Sequence, residues 1–247
     1  MTKAGRGRVR TIALVGLCLA FTAIFLALCG WQVQRRAWKL DLIARVEQRI
    51  HAEPTPPPGP DRWAGISQAA DGYRRVRLTG RFLHDRETLV QAVTREGPGF
   101  WVVTPLSTDQ GFDVLVNRGF VPADHRAPGT RLAAQAEGPV SVVGLLRLTE
   151  PHGGFLRKND PAGGRWYSRD VQAIAKAKGL SKVAPYFVDA DATANPGGWP
   201  IGGLTVVNFP NSHLVYALTW FGLALLTGGA AAYVLFDARR NRVKETP

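Results

Sequence analysis

Two long apolar runs constrain this chain more than any other feature. Residues 11–31 and residues 214–236 contain no Asp, Glu, Lys or Arg. A helix needs about 20 apolar residues to cross the roughly 30 Å hydrocarbon core of a bilayer, and each run reaches that length. We therefore predict two transmembrane helices, at 11–31 and at 213–236, and a chain that contacts the lipid bilayer.

Basic residues at both ends predict the orientation of these helices. The cations Lys3, Arg6, Arg8 and Arg10 precede the first run, and Arg239, Arg240, Arg242 and Lys244 follow the second. Because cytoplasmic flanks are enriched in Lys and Arg, segments 1–10 and 237–247 are predicted to be cytoplasmic tails. Cations that follow the first run weaken this bias. The expected protein spans the cell (inner) membrane twice, with both termini cytoplasmic and its middle extracytoplasmic or periplasmic.

A cleaved signal peptide is the alternative interpretation of the first run, since it also combines a basic start with an apolar core. Against it, the apolar core is long, and Cys29 and Gly30 lead directly into Trp31 and Gln32 without a small-residue cleavage site. Retention of the segment is therefore the prediction.

Several function classes lack their usual sequence signals. The net charge is +12, but no basic stripe with interleaved aromatic residues is present, so a nucleic-acid partner is not expected. The two cysteines, Cys18 and Cys29, both lie in the first run, which leaves no disulfide between the runs. No zinc, nucleophile-elbow or phosphate-loop motif occurs. We predict a protein that is not an enzyme and has no catalytic residues.

The region between the runs predicts one domain that is mainly antiparallel β, in the α+β class. Segment 32–60 reads as a juxtamembrane helix followed by an extended Pro-rich spacer, and segment 61–212 as the extracytoplasmic domain. Alternating or continuous apolar patterns predict strands, and 169–178 has helical spacing, with Ser168 as its cap and Gly179 as its end. The predicted strands are 75–82, 88–93, 100–106, 112–121, 140–148, 186–188 and 204–207.

Asn117, Arg118 and Gly119 interrupt one of these strands. Gly tolerates unusual backbone angles and Asn can bond to nearby backbone, so the triplet predicts a turn or a bulge.

The candidate site lies where the second span begins. At about 100° per residue, His213, Tyr216 and Trp220 share one face of a helix. A neutral imidazole beside flat aromatic rings is suited to serve as an axial haem ligand. Arg35 and Arg36 would then be the cations that face the haem propionates. The alternative for Tyr216 and Trp220 is an interfacial aromatic belt, in which His213 is merely hydrated.

Five motifs, in this order along the chain, resemble those of the Surfeit-locus family of cytochrome c oxidase assembly proteins. They are WQVQRRAWK at 31–39, GFWVVTPL at 99–106, VLVNRGFVP at 114–122, RWYSRD at 165–170 and NSHLVYALTW at 211–220. The resemblance extends from the first predicted helix to the second.

The resemblance implies a two-pass membrane protein that helps to place haem a in the catalytic subunit of the oxidase. The partners that it implies are this catalytic subunit and haem a synthase. His213 occupies the position of a histidine thought to ligate haem a in bacterial members, and Trp220 matches a tryptophan of the same motif. Arg118 and Arg165, read as exposed arginines, are weaker candidates for contact with the oxidase.

Two other functions remain open. The protein could be a scaffold that binds no haem and stabilises the nascent oxidase subunit through its extracytoplasmic domain. A two-span sensor receptor is disfavoured, because the segment after Phe236 is too short for an output domain.

Overall fold

The computed structural model describes residues 3–135, 137–154, 156–207 and 209–244. Residues 1, 2 and 245–247 of the predicted tails lie outside this part of the chain. The chain divides into two compact units, one formed by Met1–Ala44 with Asn208–Pro247 and the other by Arg45–Val207.

Among the described residues, α-helices occupy the two ends and two short internal segments. They are α1 Lys3–His51, α2 Gln68–Asp71, α3 Val171–Ala177 and α4 His213–Lys244. The predicted helical extension beyond the first apolar run is confirmed, because α1 continues without a break to His51. Both α1 and α4 contain a segment that is long and apolar enough to cross a membrane.

Within the helical unit, α1 and α4 pack antiparallel along one seam. Its residues recur at spacings of three and four, the pattern of a coiled coil. On α1 the buried and half-buried positions include Val15, Cys18, Thr22, Phe25, Cys29 and Gln32; on α4 they include His213, Ala217, Trp220, Ala224, Thr227 and Ala231. The three alanines are small, and small residues allow the backbones of two helices to approach closely.

In its described residues, the second unit is built on six strands. They are β1 Arg75–Phe82, β2 Thr88–Thr94, β3 Gly97–Thr108, β4 Asp113–Pro122, β5 Val140–Leu148 and β6 Val183–Ala190. Their order is β1-β5-β6-β4-β3-β2, and β1 also pairs with β3. That extra pairing closes five strands into a ring, with β2 outside it. All pairs are antiparallel except β4 with β6, so the mainly antiparallel prediction is confirmed.

Closure of the ring depends on Gly80 in β1. Gly80 pairs with Val140 of β5 and with Thr108 of β3. A Cβ atom at this position would lie 2.1 Å from the carbonyl oxygen of Ser107. Only a residue without a side chain allows the two backbones to approach so closely.

The predicted irregularity at Asn117, Arg118 and Gly119 is a β-bulge. The register between β3 and β4 changes from Trp101 opposite Phe120 to Val103 opposite Asn117, which leaves one extra residue on β4. Gly119 has a φ of +134°, and its N–H donates to Oδ1 of Asn117 at 3.2 Å. Both roles expected from the sequence, unusual backbone angles and a local side-chain bond, are confirmed.

Two apolar cores form on opposite sides of the strands. One fills the ring and consists of Val76, Leu78, Leu106, Phe112, Val114, Val116, Leu146, Ala184, Tyr186 and Val188. The other lies under α3 and consists of Val90, Val103, Leu115, Trp166, Val171, Ile174 and Phe187. Neighbouring residues such as Leu115 and Val116 enter different cores, because side chains alternate along a strand.

The Pro-rich stretch before the domain is extended, as predicted, and it packs against the ring. Thr55 exchanges backbone hydrogen bonds with Arg75 and Arg77. The hydroxyl of Tyr186 donates to the carbonyl oxygen of Pro58 at 2.8 Å. This stretch therefore contributes to the core.

Two local predictions were wrong. The cap of α3 is Asp170, whose side chain accepts from the N–H of Ala173, whereas Ser168 bonds elsewhere, to the backbone oxygen of Glu150. Residues 204–207 form no strand, although their apolar pattern predicted one. Leu204 is buried as part of an irregular segment, which shows that a short apolar run alone does not define a strand.

Candidate functional site

His213 is the first residue of α4 and lies on the seam with α1. Its Nδ1 is 2.8 Å from Oε1 of Gln32. Gln32 is 8 % exposed and His213 is half-buried. The imidazole is thus held from one ring nitrogen by a side chain 181 positions away in sequence.

Below this pair, further contacts join the two helices. The ring of Trp220 stacks on that of Phe25, with centroids 5.7 Å apart. The hydroxyls of Thr22 and Thr227 lie 2.8 Å apart. Polar and aromatic contacts therefore alternate along the seam, with His213 and Gln32 at one end.

The other predicted site residues lie in different surroundings. Tyr216 is 54 % exposed and faces outward from the helix pair. Arg35 is exposed, and its guanidinium carbon lies 4.2 Å from the ring centre of Trp38. Arg36 is half-buried and follows Gln32 by one helical turn.

The structure thus brings His213 and Trp220 to the seam and leaves Tyr216 and Arg35 on the surface of the helix pair. Trp220 is already stacked on Phe25. Of the two predicted arginines, Arg36 shares a helix face with Gln32.

The donor set fits a haem held by one imidazole. An amide oxygen can only accept a hydrogen bond, so a bond from His213 to Oε1 of Gln32 requires the tautomer with hydrogen on Nδ1. Nε2 then carries the lone pair that an iron ion requires. Among the described residues, no group of three or more His, Cys, Asp or Glu could form a metal cage.

Gln32 is the residue that sequence reasoning missed. It lies in the first motif, immediately after the first apolar run, where the sequence indicates only a juxtamembrane helix. A signal was present, because Thr22, Phe25, Cys29 and Gln32 follow the seam spacing of three and four. Nothing local indicated that His213 would be its partner.

The β unit contains a separate cluster of charged residues around Asp189, which is 2 % exposed. Its oxygens accept from Arg147 at 2.9 Å, from Arg169 at 2.9 Å and from Asn117 at 2.8 Å. Arg169 also donates to Glu150. Two arginines are balanced by two carboxylates, so the cluster serves as an internal brace for β4, β5 and β6.

Arg118, treated in the sequence as an exposed arginine, is buried, with 4 % of its surface exposed. Its guanidinium lies over the ring of Phe82 and donates to the backbone oxygen of Ala134. Burial lowers the pKa of Arg118 to about 10, with Glu87 opposing and Arg131 reinforcing the effect. The bulge in β4 directs this side chain inward, so Arg118 is not a surface contact residue. Arg165 is exposed and pairs with Asp160.

The comparisons with known proteins agree on one family. The sequence model of the SURF1 family matches residues 19–225. The chain is 42 % identical over 215 residues to Surfeit locus protein 1 of Homo sapiens, covering 80 % of this chain and 69 % of the human protein. It is 40 % identical over 234 residues to the Rattus norvegicus protein of that name, covering 88 % and 72 %. For the Takifugu rubripes protein, identity is 36 % over 244 residues, covering 92 % and 97 %.

Proposed function

Because this chain belongs to the SURF1 family, whose members are cytochrome c oxidase assembly factors, we propose that it holds haem a at His213 during oxidase assembly. It would do so between haem a synthase and the catalytic subunit of the oxidase. This is a binding function without turnover, so the protein is not an enzyme.

The observation that carries the proposal is the hydrogen bond between His213 and Gln32. A histidine that ligates a metal commonly donates its other ring N–H to a fixed acceptor, which orients the ring. The 2.8 Å contact supplies that acceptor, and a hydrogen on Nδ1 would leave Nε2 for the iron. When bound, haem a would supply an iron centre that accepts one neutral ring nitrogen.

Further roles follow from position on the helices. The exposed ring of Tyr216 would offer an apolar surface to the porphyrin. Arg36 would neutralise a propionate, whereas Arg35 is the weaker candidate because it stacks on Trp38. Trp220 would support the site by fixing α4 against Phe25.

The same proposal includes a place in the membrane. α1 and α4 are long and apolar enough to span it. Exposed arginines lie near the N-terminal end of α1 and the C-terminal end of α4, namely Arg8, Arg10, Arg239 and Arg240. We infer that the chain spans the cell membrane twice, with both termini in the cytoplasm and the domain between the spans outside it. An alkaline phosphatase reporter inserted at the exposed turn around Gly163 should be active, and one fused at the C-terminus inactive. The opposite pattern would reverse the orientation.

The decisive experiment is purification in detergent from cells that make haem a. Reduced visible spectra and the extracted pigment would be compared for the wild type, His213→Ala and His51→Ala. His51 is a suitable control because it is exposed in the other unit, beside Glu47. We expect nearly one haem a per chain in the wild type and the control, and loss of the band in His213→Ala.

Other outcomes would refute haem binding at this residue. Equal haem content in wild type and His213→Ala would exclude His213 as the ligand. Colourless wild-type protein that still copurifies with the catalytic subunit would replace the carrier by the scaffold.

A further inference from the structure

We propose that Gln32 is a positioning residue, which holds His213 in the tautomer with hydrogen on Nδ1 and so keeps Nε2 free for the iron. The inference rests on the proposed function, because it assigns Gln32 a role toward the same haem. The same role determines a property of the protein without haem, namely which ring nitrogen of His213 carries the hydrogen.

The chemistry of the pair supports this role. A neutral imidazole has one N–H and one lone pair, and the partner of one nitrogen decides which tautomer forms. Oε1 of Gln32 lies 2.8 Å from Nδ1 and can only accept. Without that acceptor, the hydrogen is free to reside on Nε2, as it mainly does in a histidine side chain in water, and Nε2 then cannot donate a lone pair.

The surroundings keep the acceptor in place. Gln32 is 8 % exposed, so its amide is shielded from competing water. Gln32 and His213 continue the seam that contains Phe25 with Trp220 and Thr22 with Thr227. Packing along the seam fixes the backbones of both residues. An amide on a fixed backbone holds the imidazole ring in one orientation, whereas a mobile water molecule would not.

A purely structural role is the competing explanation, since any interhelical hydrogen bond helps to hold two helices together. The chain offers a matched control for that role. Thr22 and Thr227 form another interhelical hydrogen bond on the same seam. Gln34 provides a second control, because it is the same residue type on the same helix but exposed.

The first measurement needs no haem. In the full chain in detergent, ¹⁵N chemical shifts of the imidazole nitrogens report the tautomer of each histidine, and His213→Ala assigns the signals. We expect Nδ1–H at His213 in the wild type, Gln34→Leu, Thr227→Val and Gln32→Glu, which retains an acceptor. In Gln32→Leu we expect Nε2–H. An Nε2–H form in the wild type, or no change in Gln32→Leu, would overturn the inference.

The second measurement is titration of the same proteins with ferric protoporphyrin IX. Loss of an outer hydrogen-bond partner typically weakens metal binding by about 10–100-fold. We expect that loss in Gln32→Leu, recovery in Gln32→Glu and little change in Gln34→Leu or Thr227→Val. Equal losses in Gln32→Leu and Thr227→Val would reduce Gln32 to a structural contact.

The two proposals fail in distinguishable ways. If the wild type binds haem and His213→Ala does not, while Gln32→Leu binds normally, only the role of Gln32 is refuted. If the wild type binds no haem, the carrier function is refuted and with it the role of Gln32 toward iron.

Discussion

The indole of Trp220 stacks on the phenyl ring of Phe25, with ring planes 21° apart and centroids separated by 5.7 Å. The two residues come from opposite ends of the chain and meet about two helical turns from the pair of Gln32 and His213. The geometry of the candidate site therefore depends on how α1 and α4 pack.

The stacked pair should contribute measurable coupling between the helices. In a double-mutant cycle with Phe25→Leu and Trp220→Leu, we expect a coupling of about 0.5–1.5 kcal/mol, the usual contribution of an aromatic pair beyond its buried area. Unfolding in detergent, followed by circular dichroism, measures it. A cycle that pairs Phe25→Leu with replacement of the exposed Phe221 should show almost no coupling; equal values would contradict the assigned packing.

The bulge in β4 requires glycine at position 119. A Cβ on Gly119 would lie 2.2 Å from the carbonyl oxygen of Ile201, and its φ is +134°. Gly119→Ala combines a backbone clash with conformational strain, so we expect a loss of at least about 3 kcal/mol in the free energy of unfolding.

The control for this prediction is Gly111→Ala. Gly111 also has a positive φ, +77°, but apart from its chain neighbours no atom of the described residues lies within 4 Å of its added Cβ. Its replacement should cost about 1–2 kcal/mol, from conformation alone. Similar losses in both variants would show that the contact with Ile201 is not what restricts position 119.

The pair of Glu87 and Arg131 is buried and bidentate, with N–O distances of 2.7 and 2.6 Å. Replacing Glu87 by Gln leaves a buried charge without its partner, so we expect a loss of about 3–5 kcal/mol. Replacing both residues, as Glu87→Leu with Arg131→Met, should cost clearly less. Denaturant unfolding measures both. Glu96→Gln is the control, because Glu96 pairs with Arg95 on the surface; a comparable loss there would contradict the role of burial.

Glu150 should make stability depend on pH in the acid range. Burial alone would raise its pKa, but hydrogen bonds and charge from Arg169, with a contribution from Arg147, lower the pKa below its usual 4.5. A carboxyl group with a lowered folded pKa stabilises the fold above its unfolded pKa, and this contribution is lost as the pH falls through the folded pKa.

The measurement is the unfolding midpoint of wild type and Glu150→Gln at pH values from about 3 to about 7. We expect the wild type to be the more stable protein at neutral pH and the difference to shrink as the pH falls below 4.5. A difference that stays constant with pH would show that the carboxylate charge is not responsible.

Local patterns in the sequence determined a large part of this fold. The apolar runs indicated the positions of α1 and α4. Alternating or continuous apolar patterns indicated strands such as 75–82 and 140–148. Asn117 and Gly119 marked the bulge. In each of these cases a few neighbouring residues decide the backbone conformation, through periodic burial or through the allowed φ and ψ angles.

Only the tertiary structure decided which distant residues meet. Pairing of β1 with β3 at Gly80, parallel pairing of β4 with β6, and burial of Arg118 against Phe82 all join segments far apart in sequence. The same is true of Gln32 and His213. The sequence indicated His213 as a candidate ligand because its residue type and position are informative locally. It could not indicate Gln32, because the contact of that amide with His213 arises only from the packing of one helix against another.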